Sequence, residues 1–341
     1  MNNSSTHHSP SVGPLAGLNI LELSGIGPIP YAGQLLSDLG ASVTRIVKSG
    51  SMTLTVENRG KKQLMLDLRQ DDARETILEM LKTTDILIEG SRPGVAERLG
   101  LGPDDCLAVN PKLIYGRMTG WGQDGPWAHK AGHDINYIGL SGALLAMGDA
   151  DQPPVPPLNL VGDYGGGSLF LIMGILSALI ARGTTGKGQI IDASIVDGTM
   201  SMLGIVHSLS HIGMWNTGRA NNLLDGSRPY YRCYTTQDGG YMAAGCLEPQ
   251  FYTQMLQLLG LEEHAFGGQH DSALWEVQIE TLTTCFASKP RSEWEDIFDA
   301  SDACVTPVLS YEEAPHHKQN KARHGENALT PPIAPKFSPQ T

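Results

Sequence analysis

Positive charge is what this 341-residue sequence is short of. Its 24 Lys and Arg stand against 36 Asp and Glu, a formal net charge of −12, which argues against the basic face a general nucleic-acid binder needs. No nucleic-acid partner is expected. The deficit does not bar an anionic ligand, because a few local cations can hold phosphates inside an acidic protein. Cysteine is sparse as well. Cys106, Cys233, Cys246, Cys285 and Cys304 are odd in number, scattered and without CxxC or zinc-like spacing, which points to reduced structural thiols rather than a disulfide framework. Long apolar runs are lacking: the longest, from Ser168 to Ala181, is short and Gly-flanked for a membrane span, so no stable membrane insertion is expected. Residues 1–12 are polar, without the apolar core of a signal peptide, and Pro339-Gln340-Thr341 is not the peroxisomal tripeptide. These features predict a soluble, cytoplasmic enzyme. No internal repeat is present.

What is there is an ordinary globular mixture, 40% hydrophobic and 18% charged, with 40 Gly and 21 Pro to make tight turns. Leu18 to Leu23 reads as a buried strand, followed by a turn from Gly25 to Pro30 and a helix from Tyr31 to Leu39 that stops at Gly40. Ser42 to Val47 is the next strand. A helix from Asp71 to Leu81 follows, then strands from Asp85 to Glu89 and from Leu113 to Met118. Strands alternating with helices over short joints predict a parallel α/β sheet. After a Gly-rich region from Gly120 to Gly167, the pattern gives a helix from Ser168 to Arg182, a strand from Gln189 to Ala193 and a long helix from Ser194 to about Trp215. A strand at Tyr241 to Ala244, with helices near Phe251 to Leu259 and Ser292 to Ala300, makes a smaller α+β unit. The polar tail from Pro315 reads as a surface segment.

Several tempting motifs lead nowhere. The first strand–turn–helix offers Gly25 and Gly27, but Pro30 stands where the third glycine of a dinucleotide fingerprint belongs, and the next strand ends in Lys48 rather than an acid. The layout is Rossmann-like without the Rossmann cofactor. Gly183 to Gly188 follows a helix and has no Ser or Thr for magnesium, so it reads as a turn feeding a strand. His207 and His211 share a helical face but lack the glutamate of a zinc motif. Other residues carry chemistry. His133 and Asp134 sit in Gly132-His133-Asp134-Ile135-Asn136-Tyr137, and Asp163 sits in Asn159-Leu160-Val161-Gly162-Asp163-Tyr164. Each reads equally as a cap, His133 of a turn and Asp163 of the helix after it. Placed together among glycines, where a ligand can approach the backbone, they tilt towards a site. Glu248 ends a predicted strand and reads as a cap of the next helix. Arg45, Lys48 and Arg92 stand at the C-terminal ends of parallel strands, the edge where such sheets bind ligands.

Taken with Asp85-Ile86-Leu87-Ile88-Glu89-Gly90-Ser91-Arg92-Pro93-Gly94-Val95, Thr119-Gly120-Trp121-Gly122-Gln123-Asp124-Gly125-Pro126, Pro156-Pro157-Leu158-Asn159-Leu160-Val161-Gly162-Asp163 and Glu248-Pro249-Gln250-Phe251-Tyr252, these blocks make the chain resemble the class III CoA-transferase (CaiB-BaiF) family, in particular its racemase branch. The resemblance runs from about Leu15 to about Phe337. It implies an interlocked homodimer, each chain with a large Rossmann-like CoA-binding domain (residues 14–195), a linker helix and loop (196–224), a small α+β domain (225–312) and a C-terminal segment returning to the large domain (313–341). It implies that His133 and Asp163 are the acid/base pair, that Glu248 of the small domain supports the histidine, and that Arg45, Lys48 and Arg92 hold the CoA phosphates. Lys48 departs from the arginine expected there and lacks the bidentate fork.

The activity so implied is interconversion of (2R)- and (2S)-2-methylacyl-CoA by proton transfer through an enolate. A racemase needs a base on each face of the carbon, one protonated when the other is not. Imidazole fills either role near neutrality, whereas Asp163 needs its pKa raised by burial to donate well. Backbone N–H groups around Asp134 are candidate oxyanion donors. Neither a metal nor a redox cofactor is expected, the coenzyme A being carried by the substrate. The rival within the family is a CoA transferase with Asp163 as nucleophile, which does not need a histidine at position 133. A non-catalytic acyl-CoA-binding protein is a further rival, against which the joint presence of His133, Asp163 and Glu248 argues.

Overall fold

The computed structural model describes residues 13–23, 25–48, 50, 54–326 and 331–338. They divide into two compact units, one built mainly from residues before Ile205 and the other from Leu145–Val155 and Ile205–Pro332.

The first unit is a six-stranded parallel sheet. In chain order its strands are β1 (Asn19–Glu22), β2 (Ser42–Val47), β3 (Lys62–Met65), β4 (Ile86–Glu89), β5 (Ile114–Thr119) and β6 (Gln189–Ser194), and in space they run β3-β2-β1-β4-β5-β6. The central strands are continuous apolar runs because both faces are covered: Ile86, Leu87 and Ile88 are all fully buried. Helix α1 (Pro28–Asp38) contributes Ile29 and Leu36 to the core on one face. On the other, α2 (Asp71–Leu81) supplies Ile77 and Leu81, and, after the single turn α3 (Val95–Arg98), α4 (Pro103–Val109) supplies Cys106. The connections after β1 and β4 therefore leave on opposite faces, and a crevice opens between them at the C-terminal edge of the sheet.

The expected alternation of strands and helices is present, with the unexpected α3 and α4 between β4 and β5 and four further differences. Helix α1 begins at Pro28 rather than Tyr31, because proline's fixed φ suits the first helical turn. Strand β3 escapes a sequence reading: Lys62, Gln63, Leu64 and Met65 form an edge strand with little burial. The helix expected from Ser168 starts earlier, as a π-helical stretch (Leu160–Leu169) that runs on into α6 (Phe170–Thr185) after the short helix α5 (Asp134–Ser141). Among the described residues this run, Leu160–Thr185, is long and apolar enough to cross a membrane, longer than the Ser168 to Ala181 stretch suggests. Leu171, Ile172, Ile175 and Ala178 of α6 are buried in the core against the sheet. The long helix expected from Ser194 is broken at Leu203 into α7 (Ile195–Met202) and α8 (Gly204–His211).

The second unit has an antiparallel sheet in the order β7 (Tyr231–Thr235), β8 (Tyr241–Gly245), β9 (Val305–Val308). Helices α9 (Pro249–Leu258), α10 (Glu263–Phe266), α11 (Trp275–Phe286) and α12 (Arg291–Phe298) belong to the same unit, and Tyr234 stacks on Phe286 at 4.9 Å in a core that also holds Trp294 and Phe298. Of the C-terminal segment 313–341, expected on the large domain, residues 313–326, 331 and 332 group with this second unit and 333–338 with the first. Ion pairs hold the former in place: Lys318, first residue of α13 (Lys318–His324), pairs with Asp299, and His317 Nε2 lies 3.2 Å from Glu295. All five cysteines are free.

Leu87 has no exposed surface and sits at the centre of the parallel sheet. Leu87→Ala is expected to lower stability by about 3 kcal/mol, read as a lower midpoint in urea unfolding.

Candidate active site

Three loops at the C-terminal edge of the sheet wall a cleft of about 510 Å³. Ile26, Gly27, Pro28 and Ile29 follow β1; Gly90, Ser91, Arg92 and Pro93 follow β4; Thr119, Gly120 and Trp121 end and follow β5. Those first two loops are the pair that diverge at the sheet's switch point, so the cleft lies where open α/β sheets bind ligands. His133, Asp134, Tyr137, Asn159 and Asp163 also line it.

His133 is the residue before α5, extended in backbone, and its N–H donates to Asn136 Oδ1 at 3.0 Å. Asn136 thus fixes the helix entry and the imidazole stays exposed. Asp134, the first helical residue, turns inward. Its Oδ1 accepts from the Asp163 amide at 2.7 Å, and its buried Oδ2 has no hydrogen-bond partner among the described residues. That approach needs glycine next door, since a side-chain carbon on Gly162 would sit 2.3 Å from Asp134 Oδ1.

Asp163 is half-buried in the first turn of the π-helical stretch, inside the helix rather than capping one at Ser168. Burial is the main cause of a carboxyl pushed up to about 6. The neighbouring Asp134 charge adds to the rise, while a hydrogen bond from Asn159 and the charge of His133 oppose it. Burial also raises the Asp134 carboxyl. Proton affinity has thus been moved on a half-exposed carboxylate beside an imidazole, the arrangement acid/base chemistry needs near neutral pH.

The other expected residues separate. Arg92 is exposed and lines the cleft. Arg45, expected at the phosphates, is instead 7% exposed: Nε lies 3.0 Å from Glu22, Nη1 donates to Asn58 Oδ1 at 2.8 Å and Nη2 to the Gly25 carbonyl at 3.2 Å. Lys48 is exposed just beyond β2, outside the cleft lining. Glu248 belongs to the second unit, where it precedes α9 with an exposed side chain that makes no capping hydrogen bond. A sequence reading missed three cleft residues. Asn159 lies four before Asp163 and Tyr137 four after His133, a helical spacing that places each pair on one face. Exposed Lys130 also lines the cleft and carries no such signal.

Residues 15–332 match the model of CoA-transferase family III. The chain belongs to this family. It is 44% identical over 329 residues to mouse alpha-methylacyl-CoA racemase, covering 95% of this chain and 86% of that protein. It is 42% identical to human alpha-methylacyl-CoA racemase over 310 residues, covering 91% and 81%. Among solved structures, a CaiB/BaiF family protein from Brucella suis superposes with a TM-score of 0.76 at 26% identity, over 91% of this chain and 88% of that one.

Asp134→Asn keeps an oxygen for the Asp163 amide and removes the negative charge that raises the Asp163 carboxyl. The Asp163 midpoint is expected to fall below about 6, followed by carbon-13 NMR titration; an unchanged midpoint would remove Asp134 from the account.

Proposed function

We propose that this protein is an alpha-methylacyl-CoA racemase that interconverts the (2R) and (2S) forms of 2-methyl-branched acyl-CoA esters. The observation that carries the proposal is the joint presence of His133 and a raised Asp163 carboxyl in one cleft, and the racemase names of relatives at 44% and 42% identity support it.

In this reading the thioester lies in the cleft with its α-carbon between the two groups. One removes the α-proton as the other delivers a proton to the opposite face, and the roles reverse for the other enantiomer. Enolate charge gathers on the thioester oxygen, where the amides of Asp134 and Ile135 at the start of α5 are suited to receive it, those of Asn136 and Tyr137 being engaged by the His133 carbonyl. Arg92 meets the CoA phosphates, with Lys48 as a second candidate; Arg45 supports the fold instead. One proton leaves and another arrives without redox change, so these side chains suffice in principle. The transferase alternative, with Asp163 as nucleophile, gives no task to His133.

The reading also includes a homodimer that works in solution in the cytoplasm, and Glu248 as support for the histidine belongs to that dimer. Its physical support is a set of exposed apolar side chains on α6 and the π-helical stretch, including Leu169, Met173 and Ile180, the last 79% exposed.

Incubation of one enantiomer of a 2-methylacyl-CoA in deuterated water is expected to give deuterium at C2 together with loss of chirality. Because the active pair shares one proton in either direction, kcat/KM follows the same bell-shaped pH curve for both enantiomers. His133→Ala and Asp163→Ala each lower racemisation by at least about 100-fold. CoA passing to an added carboxylate without exchange would replace this reading with the transferase. Sedimentation velocity is expected to give twice the mass of the chain, and a monomer would overturn the dimer.

A further inference from the structure

We propose that Lys61 and Arg45, bridged by the carboxylate of Glu22, are positioning residues that clamp the Ile26–Ile29 wall of the cleft against Asp163. The role in turnover rests on the racemase reading of the same cleft.

Glu22, at the end of β1, has no exposed surface, and the Lys61 side chain has none either. Glu22 Oε2 accepts from Lys61 Nζ at 2.6 Å, and Oε1 lies 3.0 Å from Arg45 Nε. Each cation then reaches one end of the same turn. Arg45 Nη2 donates to the Gly25 carbonyl at 3.2 Å, and Lys61 Nζ donates to the Pro30 carbonyl at 2.7 Å. The four residues between those carbonyls, Ile26, Gly27, Pro28 and Ile29, all line the cleft.

The middle of the wall is tied independently. Ser168 Oγ lies 2.7 Å from the Pro28 carbonyl and 3.1 Å from the carbonyl of Asp163 itself, linking the wall to the helix that carries the carboxylate. A side-chain carbon on Gly27 would stand 3.0 Å from Asp163 Oδ2, so wall and carboxylate are in close approach. Helix α1 passes the network closely as well: a side-chain carbon on Gly33 would lie 2.0 Å from Glu22 Oε2.

Three charges buried under a turn are a poor route to stability alone, because an apolar cluster of equal volume serves as well or better. Charges aimed at two backbone carbonyls fix geometry, which an apolar cluster does not. The groups that face Asp163 are Asp134, His133 and Tyr137 around the start of α5 and Asn159 on its own helix. The clamped wall adds no charge of its own and acts by keeping water from the carboxyl.

Lys61→Met, which keeps length and removes charge, tests the clamp in the full-length protein. Two readouts are followed, the Asp163 titration by carbon-13 NMR and the rate of C2 deuterium exchange. Admitted water is expected to lower the Asp163 midpoint by about one pH unit and kcat by about tenfold, with KM within about twofold. Loss of a nearby positive charge alone would move the midpoint upward, so the fall is the signature of the wall. Arg45→Lys keeps the charge but loses the reach to the Gly25 carbonyl and is expected to shift the midpoint in the same direction, which covers failure of Lys61→Met to fold. A midpoint and kcat unchanged in a folded Lys61→Met, or in Arg45→Lys if the first does not fold, would overturn the clamp. Wild-type protein without exchange removes the racemase reading alone, since the NMR titration still decides whether the wall is held.

Discussion

The structure depends on one topological constraint, the divergence of the chain after β1 and β4. These two neighbours are parallel, with Ile20 beside Ile86 and Glu22 beside Ile88, and their following segments leave on opposite faces of the sheet. The backbone cannot fill the gap so created. Everything at the site borders that gap: the turn after β1, the Arg92 loop after β4, and the two later segments that bring His133 and Asp163 to it. The fold supplies the opening, and the chemistry is added by chain that is not part of the sheet.

Those added segments are held by polar contacts made at short range. Asp134 reaches across to the Asp163 amide, Asn136 fixes the His133 backbone, and glycine at 162 leaves room for the carboxylate to approach. Two acids placed so near each other, with one Asp134 oxygen buried and without a hydrogen-bond partner among the described residues, are electrostatically unfavourable. Burial first, and that proximity second, appear as a raised proton affinity at Asp163, strain of a kind that accumulates at functional sites rather than in cores.

Much of this was legible in the sequence, and the reasons differ by element. Strands β1, β2, β4 and β5 are short apolar runs between turns, and burial on both faces writes itself directly into composition. His133, Asp134 and Asp163 were legible through the glycine-rich blocks that surround them. Edge strand β3 was not, because Lys62 and Gln63 carry no burial signal. The π-helical start at Leu160 was hidden for a different reason: its glycines suit a loop as well as a helix, and the packing of neighbouring elements decides between them. Arg45 was misread since position at a strand end says where a side chain begins and nothing of its partners. Glu22 and Lys61, 39 residues apart in sequence, meet only in three dimensions.

The raised carboxyl of Asp163 has a consequence for reversibility. In the racemase reading proposed above, the two hands of the substrate are nearly equal in energy, so forward and reverse turnover pass through the same singly protonated pair. An aspartate at its ordinary value near 3.8 would hold a proton in only a very small fraction of molecules near neutral pH. Raised to about 6, chiefly by burial, the carboxyl is protonated more readily, which serves both directions of turnover. In that reading burial is the main weight on the balance between the two hands of the substrate, and Asp134 adds to it.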